Sequence, residues 1–415
     1  MFKNYLLTAW KVFLRRKFFT FINLFGICIT LTVIVVTTRV ADNHLHPIGP
    51  EKNNEHFLVI SNLILTNDEQ TQTSSSKLGF KFIDKYVYPL KAPEIISAYT
   101  TSSKVSTYIK NRKIEPDFRR TDANYWKVLQ FEFVEGKPFD QQEFETGQAL
   151  AVINQHTAKQ YFKNTNAIGK LINIQDQRYK IVGVVKNVPR TELEAYSDIW
   201  VPYTTFPTTA YRHEITGNFK AILYQSNSIQ LNDARLEFIN RLQNDFEPVS
   251  ADFNRAFSHA DNSIQAMARD FFGEENSFED HVKTLIIFAS LLTILFMLLP
   301  SINMVNLNIS RIMERASEIG VRKAFGASTL QLVWQFIIEN ILLTLIGGLL
   351  ALFLSSFILY MVEISGLIGY AEFQFNYRIF FISLLMILIF GLISGVYPAF
   401  KMARLQPVIA LKGGL

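Results

Sequence analysis

Three histidines, His44, His46 and His56, stand near Asp42 and Glu51, which are residue types that ligate zinc. Their separations match no recurrent ligand spacing, and they follow directly on a long apolar run, so they read as a solvated linker. The run Ser74–Ser76 has no histidine or acid at a fixed interval and reads as a polar turn. No Gly-x-x-x-x-Gly-Lys-Ser/Thr phosphate loop occurs anywhere in the chain, so ATP hydrolysis is not expected of it. One charged pattern does have a physical use. Arg311, Arg315, Glu318 and Arg322 recur at helical spacing, while Ile312, Ala316 and Ile319 form a second stripe. A helix built this way rests one side on an apolar surface and offers the other to a charged partner. That is docking chemistry rather than catalysis.

The elements that must position this segment are membrane spans. Of the 415 residues 49% are hydrophobic, and they are strongly clustered. Phe18 to Thr38 is uncharged, as are Thr284 to Ser310, Asn340 to Val362 and Ile379 to Phe400; the third extends back through Val333 to Ile338 across Glu339. Each is long enough to cross a hydrocarbon core about 30 Å thick at about 1.5 Å per residue. The net charge of +5 is unevenly placed. Residues 40 to 282 carry 26 Lys+Arg against 31 Asp+Glu, and the remainder carries 15 against 5. The basic excess sits at Lys3, Lys11, Arg15, Arg16 and Lys17, at Arg311 to Lys323, and at Lys401, Arg404 and Lys412. The positive-inside rule then puts both termini and the 311–332 loop in the cytoplasm, and residues 40–282 and 363–378 outside. This distribution argues against nucleic acid as a partner. The first span lacks the small residues of a cleavage site and reads as an uncleaved anchor. The single cysteine, Cys28, lies within it, so the outer domain is expected to fold without disulfides.

Between His56 and Val282 the pattern changes to short β-rich runs and helical stretches. FLVISNLIL and YKIVGVVKNV read as strands, Asn67 to Lys77 as a polar loop, and Glu143 to Gln148 as a loop before the strand and helix of ALAVINQHTAKQYF. Residues 229 to 280 read as mostly helical, with Leu231, Leu236, Phe238, Ile239, Leu242 and Phe246 on one face. The expected fold class is a membrane protein with four transmembrane α-helices and a large extracytoplasmic α+β domain inserted between helices 1 and 2.

Three stretches carry a family resemblance. SEIGVRKAFGAS, residues 317–328, resembles the cytoplasmic signature of the FtsX and MacB type of ABC transporter permease. GLISGVYPAFKMARLQPVIALKG, residues 391–413, is similar to the end of the same permeases, and TDANYWKVLQFEFVEGKPF with ALAVINQHTAKQYFKNTNAIGKLINIQDQRYKIVGVVKNV resembles their periplasmic core domain. The resemblance implies a cytoplasmic N-terminus at 1–17, spans at 18–38, 284–309, 333–362 and 379–400, and a periplasmic core at 39–282. It implies a coupling segment at 310–332, an outer loop at 363–378 and a tail at 401–415. Within the core, a sabre-like lobe would occupy about 116–203, flanked by porter-like segments at about 50–115 and 204–280. It also implies an ABC ATP-binding subunit that holds ATP and Mg, no cofactor in this chain, and a dimer with a second copy or a paralogue. A periplasmic or outer-membrane partner is compatible with it. The location implied is the bacterial inner membrane, in contact with membrane lipid. The residues implicated in ATPase coupling are Arg311, Arg315, Glu318, Ile319, Gly320, Arg322, Lys323 and Gly326.

Gly347, Gly348, Gly391 and Gly395 are expected to let helices approach closely. Asn303, Asn306 and Asn308 follow Pro300 and are read either as interfacial or as bonded across a helix contact. Glu339 is expected to pair with a base of the preceding loop. A membrane receptor with a ligand-sensing outer domain is the competing reading. It is disfavoured because the cytoplasmic loop is too short to hold a signalling domain.

Overall fold

The computed structural model describes residues 2–15, 17–109, 112–163, 165–250, 252–273, 278–314, 329–366 and 369–370, with 377–378, 380–385, 388–389 and 392 beyond them. The chain divides into two compact units. One comprises Met1–Ala41, Ile286–Ser365 and Phe373–Leu415, and the other Asp42–Leu285 with Gly366–Glu372.

The first unit is helical. Among the described residues two helices are long and apolar enough to cross a membrane, Lys17–Leu45 and Ile337–Ser365, and Val282–Phe296 is a shorter apolar stretch. The first runs past the expected end at Thr38 because no proline or glycine breaks it before Leu45. The helix containing Pro300 is continuous from Val282 to Glu314, so the backbone does not end at the proline. Close packing joins the Lys17–Leu45 and Thr329–Ser365 helices: Ile27, Leu31 and Ala351 form one buried cluster. A Cβ at Gly347 would come within 2.7 Å of Ile27 Cγ2, and one at Gly348 within 2.7 Å of Leu384 Cδ1. Glu339 is buried and accepts a hydrogen bond from Gln335 Nε2 at 3.1 Å.

The second unit is α+β. Its main sheet runs through Leu171–Ile174, Gln177–Val185, Leu150–Asn154, Ile199–Pro202, Asp117–Thr121, Ile95–Thr100, Phe219–Tyr224, Thr73–Leu78, Leu63–Thr66 and Arg255–Phe257. Gln177–Val185 pairs parallel with Leu150–Asn154, and Ile199–Pro202 pairs parallel with Asp117–Thr121. Parallel neighbours need a crossover, and the Gln155–Phe162 helix supplies part of the first one. FLVISNLIL becomes two strands, Phe57–Ile60 and Leu63–Thr66.

Three local expectations fail, each for a physical reason. Thr73–Leu78 is a strand rather than part of a loop, because Leu63–Thr66 pairs along its polar backbone and needs no apolar side chains from it. Gln141–Glu145 is a short helix, held by a capping box in which Asp140 and Glu143 satisfy each other's backbone amides. Residues 229–280 divide into the helices Leu231–Asp245 and Ser263–Phe272 around the strand Arg255–Phe257. On the former helix Leu231, Ala234, Phe238 and Leu242 are buried, whereas Leu236 faces out.

The core is aromatic. Tyr86, Tyr99, Tyr125, Phe82, Phe238 and Trp200 are fully buried, and Trp126 meets Phe131 at a ring separation of 4.9 Å. A second cluster, around Ile153, Ile172, Tyr179 and Ile181, fills the other end of the sheet beneath Ala158, Tyr161 and Phe162. The first core closes where Gly79 meets residues 214–215: Gly79 N donates to Ile215 O at 2.8 Å, and an added Cβ would lie 2.6 Å from the Glu214 carbonyl carbon.

That contact separates two kinds of glycine. Gly79→Ala must displace backbone and should cost about 2–3 kcal/mol. Gly273→Ala keeps open space around the new methyl but strains a left-handed residue (φ +67), for about 1 kcal/mol. Thermal unfolding of the detergent-solubilised chain, followed by tryptophan fluorescence, should place Gly79→Ala well below Gly273→Ala. Equal midpoints would contradict this packing.

Candidate functional site

The densest polar construction among the described residues lies where the chain leaves the Lys17–Leu45 helix. Residues 186–198 join the strands Gln177–Val185 and Ile199–Pro202 without regular structure, so their backbone groups need other partners. Two glutamates provide them reciprocally. Glu192 Oε1 accepts from Gly49 N at 2.8 Å and its Oε2 accepts from Glu51 N at 2.9 Å. Glu51 Oε1 accepts in return from Glu194 N at 2.6 Å and Ala195 N at 2.7 Å. Gly49 is required by this exchange, since a Cβ there would collide with the Glu192 carboxylate. The end of the helix joins in: Asn43 Nδ2 donates to Thr191 Oγ1 at 3.0 Å, and the His44 ring nitrogen Nδ1 lies 3.1 Å from Thr191 O.

The sheet anchors the other side of the segment. Lys220 is directly opposite Tyr99, which is directly opposite Thr121, so Lys220, Tyr99 and Arg119 project from three adjacent strands onto one face. All three reach residues 193–194. Lys220 Nζ bridges both Glu194 carboxylate oxygens at 2.8 and 2.9 Å, and Tyr99 Oη donates to Oε2 at 2.6 Å. Arg119 donates to the carbonyls of Leu193, at 2.8 Å, and Glu194. A cavity of about 580 Å³ opens beside this wall, with Glu51, Glu194, Lys220, Arg269, Met267 and Phe271 in its lining.

The same segment receives the stretch after the Thr329–Ser365 helix. Arg190 N donates to Gly369 O at 2.8 Å. The Tyr370 side chain lies close to Asn154 and Asp198, and its ring lies 5.7 Å from that of His156. Asp198 in turn accepts from Asn154 Nδ2 at 2.7 Å and Asp117 N at 2.9 Å, while Tyr196 Oη donates to Asp117 at 2.9 Å.

Three carboxyls thus share a nearly dry site and divide by environment. Burial pushes Glu51 up to about 8, with Glu194 and Glu192 reinforcing it against the two amide donors. Burial raises Glu192 as well. Glu194 is partly buried, yet Lys220 and Arg119 hold it below the usual carboxylate range. At neutral pH Glu194 is charged and paired, and its neighbour Glu51 keeps its proton. The arrangement presents no nucleophile beside a base, and it binds chain to chain.

The residues expected from the sequence fall mostly elsewhere. Arg311 lies in the Val282–Glu314 helix; Arg315, Glu318, Ile319, Gly320, Arg322, Lys323 and Gly326 lie outside the described residues, as do Gly391 and Gly395. The stretch read as a solvated linker is docked: His44 and Glu51 both bond to residues 191–195. Among the described residues no three His, Cys, Asp or Glu side chains group to hold a metal ion. Arg119, Glu192, Glu194 and Lys220 escaped the sequence reading. Their one signal is DFRRT, two consecutive arginines in a stretch buried throughout as a strand, which points a charge into each face of the sheet.

Comparison with known proteins gives two family matches: a MacB-like periplasmic core domain over residues 20–237 and an FtsX-like permease C-terminal over 290–407. The "Uncharacterized ABC transporter permease YknZ" of Bacillus subtilis (strain 168) is 24% identical over 406 residues, covering 96% of each chain. The "Macrolide export ATP-binding/permease protein MacB" of Pasteurella multocida (strain Pm70) is 26% identical over 306 residues, covering 72% of this chain and 44% of that protein. This chain therefore matches less than half the length of that relative. The crystal structure of the extracellular domain of the YknZ transporter from Gram-positive bacteria aligns with 45% of this chain and 94% of its own, at 16% identity and a TM-score of 0.36.

The elevated Glu51 carboxyl makes a signed prediction. The folded state holds this proton up to about pH 8, whereas an unfolded glutamic acid loses it near 4.3, so stability falls as pH rises between those values. Glu51→Gln removes this loss and leaves Glu192 and Glu194 in place. The variant should gain on the wild type from about pH 4.5 to about 8, by on the order of a few kcal/mol, and run parallel above. Unfolding curves across that range check it. Parallel curves throughout would show that Glu51 is ionised in the fold.

Proposed function

The chain belongs to the family that joins a MacB-like periplasmic core domain to an FtsX-like permease C-terminal, and from that premise we propose that it transmits ATP-driven movement across the inner membrane. In this reading it is the permease subunit of an ABC transporter, crosses the membrane four times with both termini in the cytoplasm, and works as a dimer with a second copy or a paralogue. ATP and Mg are bound by a separate ATP-binding subunit. The segment 310–332 docks on that subunit through Arg315, Glu318, Arg322 and their neighbours. Gly347, Gly348, Gly391 and Gly395 let the spans pack closely enough to move as a body. Residues of about 116–203 form the sabre-like lobe of the outer domain.

One observation carries the transmission reading. Residues 190–195 bond at once to the chain leaving the Lys17–Leu45 helix and to Gly369, four residues beyond the Thr329–Ser365 helix. An unbroken helix changes length little, so a displacement at one end reaches the other. The chain leaving two such helices is bonded to one segment. From there Glu194, Lys220 and Arg119 lead into three central strands. Charge pairing and backbone bonds of this kind have discrete arrangements, which a two-state relay requires.

Hydrogen exchange tests the proposal. In the chain assembled with its ATP-binding subunit, adding ATP should change exchange across residues 189–198, and Glu318→Lys should abolish the change while leaving assembly or basal hydrolysis measurable. Exchange that is indifferent to ATP in a complex hydrolysing ATP would rule out transmission through this segment. The chain alone should show no hydrolysis above a mock purification.

A further inference from the structure

The first helix, Phe2–Arg15, has three faces at 100° per residue. Ala9 and Phe13 are buried against Leu343, with Leu24, Leu342 and Ile346 around them. Leu7, Trp10 and Leu14 share the next arc and are more than half exposed, at 52%, 54% and 54%. Lys11 and Arg15 occupy the arc after that and are exposed, and Lys17 follows in the same state. The chain also has no Asp or Glu before Asp42. Thr20 Oγ1 donates to Phe13 O at 3.3 Å and fastens the helix to the start of the first span.

A packed edge, an apolar edge carrying a tryptophan and a basic edge, in that order, fit the boundary between acyl chains and headgroups. The bundle takes the first edge, acyl chains the second and phosphates the third. The occupant follows from charge: a stretch with bases and no acid of its own selects an anionic headgroup over a zwitterionic one. We propose that the Phe2–Arg15 helix is a binding surface for anionic phospholipid, with Trp10 in the acyl region and Lys11, Arg15 and Lys17 on the headgroup phosphates. The proposal rests on the inner-membrane reading above but not on ATP-driven transmission, so the two can fail separately.

Trp10 provides the readout. Trp334 is exposed at 51% and would report as well, so the test uses full-length chain carrying Trp334→Phe; Trp126 and Trp200 pack within the α+β core, away from lipid. The protein is reconstituted in mixed phosphatidylcholine and phosphatidylglycerol vesicles in which one lipid at a time carries brominated acyl chains, at matched mole fraction. Brominated phosphatidylglycerol should quench Trp10 with a relative affinity about threefold above that of brominated phosphatidylcholine. Lys11→Gln/Arg15→Gln/Lys17→Gln should bring that ratio to one, and the charge-conserving Lys11→Arg/Arg15→Lys/Lys17→Arg should keep it. Equal quenching of the parent protein by the two lipids would overturn the headgroup preference. Absence of quenching by either would mean that protein, such as the ATP-binding subunit's docking face, covers the stripe, and would overturn the proposal entirely.

Discussion

The exchange of carboxylate and amide between residues 49–51 and 192–195 is the constraint on which the rest of the α+β unit depends. Neither stretch has regular structure, so each would otherwise bury backbone amides without acceptors, at a cost of about 1–3 kcal/mol per group. Each instead borrows the other's side chain: Glu192 serves the linker and Glu51 serves the loop. The exchange works only with both carboxyls in a dry site, and two charges there would repel. The fold resolves the conflict by protonation at Glu51, and it keeps the third carboxyl, Glu194, as a charge paired where Lys220, Tyr99 and Arg119 converge.

This solution has structural consequences. Arg119 and Lys220 occupy interior strand positions that an ordinary sheet would fill with apolar residues, so the aromatic core lies alongside them: the Arg119 guanidinium stacks 5.2 Å from the Tyr99 ring centroid. The next residue, Arg120, points to the opposite face, bonds Thr205 Oγ1 at 2.8 Å and lies over Phe206. The sheet therefore carries a cation on each side of one strand, Arg119 held by backbone carbonyls and Arg120 by a hydroxyl and a ring. In the helical unit the equivalent economy is steric: Gly347 and Gly348 remove two side chains so that Ile27 and Leu384 can take their place.

Much of the fold was legible from periodicity and composition because those signals are local. Apolar runs announced the long helices, and YKIVGVVKNV and QHTAKQYF announced a strand and a helix that the structure contains. The misreadings were also local: Thr73–Leu78 is polar yet strand, since a strand can take its structure from its partner's backbone. Asp140 and Glu143 stand at capping-box spacing, a local signal that outweighs the polar, loop-like character of Glu143 to Gln148.

By itself the sequence determined that long apolar helices flank a soluble α+β domain, that the basic excess lies outside that domain, and that a family motif follows the second apolar run, because hydrophobicity, charge and motif are properties of residues in order. It could not determine that Glu51 belongs with Glu192 and Glu194, or that Arg190 meets Gly369. These partners lie more than 140 positions apart, and nothing in the spacing of two glutamates distinguishes a solvated pair from a buried one. Only the packed sheet, by bringing Lys220, Tyr99 and Arg119 onto one face and removing water from it, turns a linker and a loop into a single charged junction.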